Sequence, residues 1–234
     1  ASQAPGQPWL IQLGPGHFNL PPGTLDLPAG VNMAGAGRHA TTVRLNISGG
    51  PQRPTLRTLG GNEVSRLQVI GSCFGGVHDC TGIEVPAGAS GVRLNDLMVF
   101  TTGGAGSNAG VAVAGSVAID GSMVLAQTGK RAVAVDLSGA GVVSVAQSDL
   151  RALSAGVTCE AVGGKSTASE SSQVRHSSLY PFCFGGASSY WLRSATNIPL
   201  RLAYTQIVTG SRSGTASCVA TQAAPGFLAQ GCPN

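Results

Sequence analysis

Charge is scarce in this chain, and so are aromatic rings: 10% of its 234 residues are Asp, Glu, Lys or Arg, and 5% are Phe, Trp or Tyr. No apolar run approaches the roughly 20 residues that a membrane-spanning helix needs. No C-x-x-C pair occurs, and the four histidines (His17, His39, His78, His176) are scattered, with only His78 beside cysteines. That arrangement argues against zinc, whose sites use such pairs or nearby histidines. Residues 1–8, "ASQAPGQP", lack the basic start and apolar centre of a signal peptide. An export signal was therefore either removed or never there. No stretch combines a helical period with caps at both ends, so helices are not expected.

Glycine is abundant, at 35 residues, but it shows no period of three, which excludes a collagen helix. Disorder is excluded by 42% hydrophobic residues, with Val, Leu and Ile recurring at short intervals. The net charge of +4 comes from arginines spread along the whole chain. It serves solubility and gives at most a weak preference for acidic polymers. "GAGRHATT" at 35–42 has no strand–loop–helix setting, so a nucleotide site is rejected and no nucleic-acid partner is expected.

One pattern returns along the chain: "VSRLQV" at 64–69, "LNDLMV" at 94–99, "DGSMVL" at 120–125, "QSDLRA" at 147–152, "HSSLYP" at 176–181 and "YTQIVT" at 204–209. Aligned on a small or polar residue, Ser65, Asn95, Gly121, Ser148, Ser177 and Thr205 form one column. Two positions later stand Leu67, Leu97, Met123, Leu150, Leu179 and Ile207. Two further on, Val69, Val99, Leu125 and Ala152 continue the inward face. A spacing of two is strand periodicity, and a repeat of this length means stacked coils. A second ladder reads "GIEV" at 82–85, "GVAV" at 110–113, "AVAV" at 132–135 and "GVTC" at 156–159. One coil cannot bury its own apolar face, but stacked coils bury a continuous core. The small polar column is expected at a sharp bend with a left-handed backbone. The expected fold is therefore all-β: a single-stranded solenoid of roughly seven to nine coils. It fills one domain over residues 1–234, with a lead-in at 1–8 and a C-terminal cap at 211–234.

The rungs, together with "WLIQLGPGHFNLPP" at 9–22 and "LPAGVNMAGAGRHATTVRL" at 27–45, resemble the right-handed parallel β-helix proteins of the pectin lyase-like superfamily. More narrowly, "LRLAYTQIVTGSRSGTASCVA" at 200–220 is similar to the closing part of bacterial secreted β-helix proteins of uncharacterised function. The resemblance implies the fold and is almost silent on activity. Polygalacturonase-like relatives carry an Asp-Asp pair, a His-Gly and an Arg-x-Lys, and none of these occurs here. The resemblance also implies a capping segment before the first rung. Here the chain reaches "PWLIQL" almost at once, which would leave a strand edge open to pairing.

Six cysteines suggest disulfides and an oxidising compartment, hence a secreted or cell-surface protein. Cys73 and Cys80 flank a short loop. Cys159 and Cys183 lie about one coil apart, where stacked positions sit about 4.8 Å from each other; buried free thiols are the alternative. Cys218 and Cys232 would tie the tail over the last rung.

The best carboxylate pair is Asp136 with Glu160. Each follows a residue of the second ladder, so both should project outward on adjacent coils. A separation near 5 Å would suit retaining glycoside hydrolysis or a cation; the plainer reading is a solvated outer face. Asp96 and Asp149 share a column two coils apart, with Ser122 between them. His176 beside Arg175 and Tyr180 reads as a surface turn or a polar contact patch. Trp9, Trp191, Tyr190 and Tyr204 are the rings available to stack on sugars, although no platform is visible and Trp9 reads better as an end cap. No cofactor or metal is expected. The preferred function is a non-catalytic module with a structural, adhesive or assembly role, forming a homo-oligomer or filament. The alternatives are a polysaccharide lyase or glycoside hydrolase, or a polysaccharide-binding module.

Overall fold

The computed structural model describes residues 8–48, 53–74, 79–103, 105–156, 158–166, 172–184, 188–194, 200–213, 216–223 and 232. All regular structure among them is β-strand, and every strand pairing is parallel. The chain winds repeatedly through three sheets. Among the described residues the first and second sheets hold nine strands each and the third holds eight. Each strand pairs with those one coil before and after it, which gives a right-handed parallel β-helix of triangular section. The strands at Ser211–Ser213, Ala216–Val219 and Gln222–Ala223 extend the three sheets into the C-terminal region.

The core consists of like residues stacked on like. In the first sheet Val64, Leu94, Ile119, Val145, Val174 and Leu202 fall in register. In the second, the column is Val43, Val69, Val99, Val124, Leu150, Leu179 and Ile207. In the third, Leu56, Ile83, Val111, Val135, Val162 and Leu192 line up. All of these side chains are buried.

The second-sheet column corrects the register expected from the sequence. Met123 and Leu125 do not face inward; Val124 and Ala126 do, with Met123 opposite Met98 on the outer face. The error arises at the corner between the first and second sheets, a two-residue turn. Leu67 and Leu97 occupy its second position and are buried; in later coils that position holds Ser122, Ser148, Ser177 and Thr205, also buried. A leucine has been exchanged for a hydroxyl, so aligning apolar letters slips the strand.

Of the small polar column, only Gly121 is the left-handed residue of this turn. The left-handed position is held by Arg66, Asp96, Gly121, Gln147, His176, Tyr204 and Ala220, each with φ between 48° and 55°. A non-glycine residue here carries a penalty of about 1–2 kcal/mol. The stack offsets it: the backbone N–H of each of the first six donates to a carbonyl one coil on, as in Gln147 to Arg175 and Tyr204 to Val219. Residue type is thereby relaxed.

The serines form their own ladder. Ser122 and Ser148 Oγ accept from the N–H of Leu97 and Ser122 at 3.0 and 3.1 Å, and Ser177 Oγ accepts from Ser148. Each hydroxyl donates to the carbonyl two residues back. Ser148→Ala would leave the buried Ser122 N–H without its acceptor. The expected loss is about 1–3 kcal/mol, read as a lower urea midpoint at unchanged slope.

Three disulfides close the turns: Cys73–Cys80, Cys159–Cys183 and Cys218–Cys232, with Cα separations of 5.9, 5.6 and 5.1 Å. Cys159 and Cys183 are not stacked in one column, as the sequence suggested. Cys183 stands opposite Ser154 in the second sheet, and Cys159 opposite Ala132 in the third. The bond crosses the corner between sheets, where Ala126, Ala132 and Ala152 leave room for sulfur.

Candidate functional site

The outer face of the third sheet carries most of the paired charge. One outward column reads Asp26, Arg57, Glu84, Ala112, Asp136, Gly163 and Arg193. Arg57 Nε meets Glu84 at 2.7 Å, and its Nη1 lies 3.5 Å from Asp26. The hydrogen bond to Glu84 raises the guanidinium pKa despite partial burial.

Further along this face, Asp136 and Glu160 come together, but not as register neighbours. Asp136 stands opposite Gly163, and Glu160 opposite Val133. The cause is a bend in the sheet where two consecutive residues point inward: Ala134 with Val135, and Ala161 with Val162, all in the core. This shifts the outward positions, so the two acids meet diagonally across Arg131.

Arg131 organises the cluster. Its Nη1 and Nη2 donate to the two Asp136 oxygens at 2.9 Å each, and its Nε and Nη2 donate to Glu160 at 3.0 and 2.6 Å. Arg193 Nη1, from the next coil, donates to Glu160 Oε1 at 3.1 Å. Glu160 is 1% exposed. It is neither a solvated face residue nor an accessible nucleophile. Gly163 makes room for it: a Cβ there would lie 1.8 Å from Glu160 Oε2. Burial disfavours the Arg131 charge, but the hydrogen bonds to Glu160 and Asp136 outweigh it, so the guanidinium is held protonated more firmly than a free arginine. Two arginines balance two carboxylates, and the cluster clamps three successive coils.

The clamp floors an open cleft of about 640 Å³ with Lys165, Ser138 and Ser213 on its rim. Lys165 is exposed. Arg193 lies over the Tyr190 ring, 5.4 Å from its centroid. Retaining hydrolysis requires two carboxyl groups that flank a bond; here both carboxylates face one guanidinium. Among the described residues no group of three or more His, Cys, Asp or Glu could hold a metal.

The remaining sequence candidates separate. Asp96 is a turn residue, whereas Asp149 begins a second-sheet strand opposite Met123 and Ser178, so they share no column. Asp149 accepts from Arg151 Nε at 2.6 Å and from Ser178 Oγ at 2.8 Å. Trp191 is fully buried, whereas Trp9 is 54% exposed on the first strand. His176 stacks on Tyr204, centroids 5.0 Å apart and planes within 5°. Sequence reading missed Arg131 as organiser. It also missed an aromatic run in "SLYPFCF", where Tyr180, Phe182 and Phe184 are placed in a row by the strand period, with centroid spacings of 6.1 and 4.9 Å. The alternation of those letters was the available signal.

No protein-family model and no curated protein matches the chain. Solved structures share its fold, among them the following two. A pectin methylesterase from Yersinia enterocolitica superposes with a TM-score of 0.53 at 8% identity, over 97% of this chain and 88% of that one. The ORF18 protein of Geobacillus virus E2 superposes with a TM-score of 0.58 at 12% identity, over 95% of this chain and 54% of that one. At such identities the likeness establishes the architecture alone, a parallel β-helix.

Proposed function

We propose that the chain is a secreted, non-catalytic β-helix module with a structural, adhesive or assembly role at a cell surface or in an extracellular filament. The observation that carries this reading is the clamp. The best carboxylate pair in the chain is held by Arg131 and Arg193, and Glu160 is closed to solvent. The first coil adds support: Trp9, Leu10 and Ile11 are 54%, 59% and 40% exposed on an outer strand. Exposed apolar side chains grouped on one strand favour burial against a partner. Three disulfides fit an oxidising compartment.

A carbohydrate-active or polysaccharide-binding role is the second reading. It is favoured by the cleft with Lys165 and Arg193 on the same face as the clamp. One experiment separates the two. The protein is incubated with pectin, polygalacturonate and neutral polysaccharides, and methanol, reducing ends and unsaturated products are assayed. The expected result is no product, with light scattering after size exclusion showing an oligomer. Turnover abolished by Asp136→Asn or Glu160→Gln would overturn the non-catalytic reading. A strict monomer that binds no glycan would overturn the assembly and adhesive readings together.

A further inference from the structure

The ridge between the first and second sheets carries a groove unrelated to the clamp. Its residues are the left-handed turn positions, which stack one per coil and point outward. Every such position from Arg66 to Tyr204 bears a long or polar side chain except Gly121. The backbone does not demand this glycine. Its φ of 55° matches Asp96 at 50° and Gln147 at 48°, and a Cβ there would meet nothing closer than 3.9 Å. The missing side chain opens a cleft of about 520 Å³ that runs from Gly121 past Gln147 and His176 to Tyr204. Four coils separated by three spacings of about 4.8 Å make this roughly 14 Å long, parallel to the solenoid axis.

The two ends differ in chemistry. At one end Arg38 reaches from the turn after the second first-sheet strand and donates to the Gly121 carbonyl at 3.3 Å; its Nε lies 3.6 Å from Asp96. At the other end the Tyr204 ring, 60% exposed, lies flat on His176. The amides of Gln147, between the two ends, and of Gln206, on the Tyr204 coil, are exposed and have no side-chain partner among the described residues. Each amide can both donate and accept. The charges at the groove are already balanced: Arg38 by Asp96, and Asp149 by Arg151.

We infer that this ridge groove binds a neutral saccharide chain. A pyranose ring presents an apolar C–H face, which suits the exposed Tyr204–His176 stack. It also presents hydroxyls that donate and accept, which suits Gln147 and Gln206. Among the lining residues Arg38 is the one arginine or lysine and it is paired with Asp96, so an anionic chain gains no uncompensated Arg or Lys within the lining; Lys165 and Arg193 lie on another face. The inference names a ligand for the adhesive reading above and rests on it.

The test uses the whole disulfide-bonded chain against an array of neutral and uronate-containing oligosaccharides. It continues with titrations by cellotetraose, maltotetraose and xylotetraose, with tetragalacturonate as the acidic comparison. Ring signals of His176 and Tyr204 are followed by NMR. The expected result is saturable shifts at both rings with a neutral glycan. Tyr204→Ala and Gly121→Gln should each weaken binding on the order of tenfold, the scale of one good ring contact. Tyr204→Ala should leave the thermal midpoint near that of the parent, since Tyr204 is exposed. Gly121→Gln should fold, because Gln147 occupies the equivalent backbone state one coil on, but with a lower midpoint, the cost of a left-handed non-glycine residue. Three results would overturn the inference: no neutral glycan bound, binding unaffected by both variants, or binding of tetragalacturonate alone with shifts at Lys165. In each case the non-catalytic reading would still stand. Cleavage of a bound tetrasaccharide would overturn that reading and leave the groove assignment intact.

Discussion

Arg131→Met is expected to destabilise the protein by about 3–5 kcal/mol, the range for breaking a buried ion pair from one side. The methionine keeps most of the side-chain volume, so the loss is electrostatic. Glu160, 1% exposed, would retain only the single bond from Arg193. A carboxylate closed to water and stripped of its main partner is the costly species. Glu160→Gln should restore much of the loss in the double variant, because the amide needs no counter-charge. Glu160→Gln alone should be milder than Arg131→Met, since Arg131 keeps its two bonds to Asp136. Urea unfolding of the four proteins gives the coupling free energy directly. Additive effects would show that the cluster is a surface contact and not a clamp. They would also remove the main argument that these acids are unavailable for catalysis.

Much of the architecture was legible because the solenoid repeats its instructions in every coil. Alternating Val, Leu and Ile at a fixed return length leave few other ways to bury an apolar face. What was illegible was local. Ser122 and Ser148 stand where Leu67 and Leu97 stand in earlier coils, because a turn hydroxyl can satisfy the neighbouring backbone as well as a leucine can fill the corner. That substitution slipped the apparent register and placed Met123 and Leu125 inside. At the clamp, the consecutive inward pairs Ala134–Val135 and Ala161–Val162 break the period of two. Asp136 and Glu160 therefore reach each other by a route that alternation does not show. Both acids were visible as letters; the arginine that neutralises them was legible only once the strands were stacked. The groove on the ridge was hidden for a related reason. A left-handed turn would ordinarily select glycine or asparagine, so Gly121 looked like the regular case, whereas in this stack it is the exception.

The third sheet supplies the other large expected effect. One of its inward columns reads Gly82, Gly110, Ala134, Ala161 and Trp191. For most of its length the column must be small, because the sheet bends there and the second sheet lies close. A Cβ on Gly110 would lie 2.3 Å from Val124 Cγ1 and 2.8 Å from the Ala134 carbonyl. At Trp191 the constraint ends. The next strand shifts register, with Tyr190 opposite Ser211 and Leu192 opposite Arg212, so no described residue pairs in register with Trp191. The ring turns into the core and is fully buried, the largest such side chain in the described chain. Trp191→Ala should therefore lose about 3–5 kcal/mol by opening a cavity near the C-terminal end of the core. Trp191→Phe should lose less, because the buried indole N–H has no partner among the described residues and its removal strands no acceptor. Gly110→Val should fail for the opposite reason, by overpacking a wall that cannot move without shifting two coils. Differential scanning calorimetry of the three variants tests the column as a unit. If Trp191→Ala melts like the parent, the ring does not fill the end of the core. If Gly110→Val does so as well, the close approach of the second and third sheets is refuted with it.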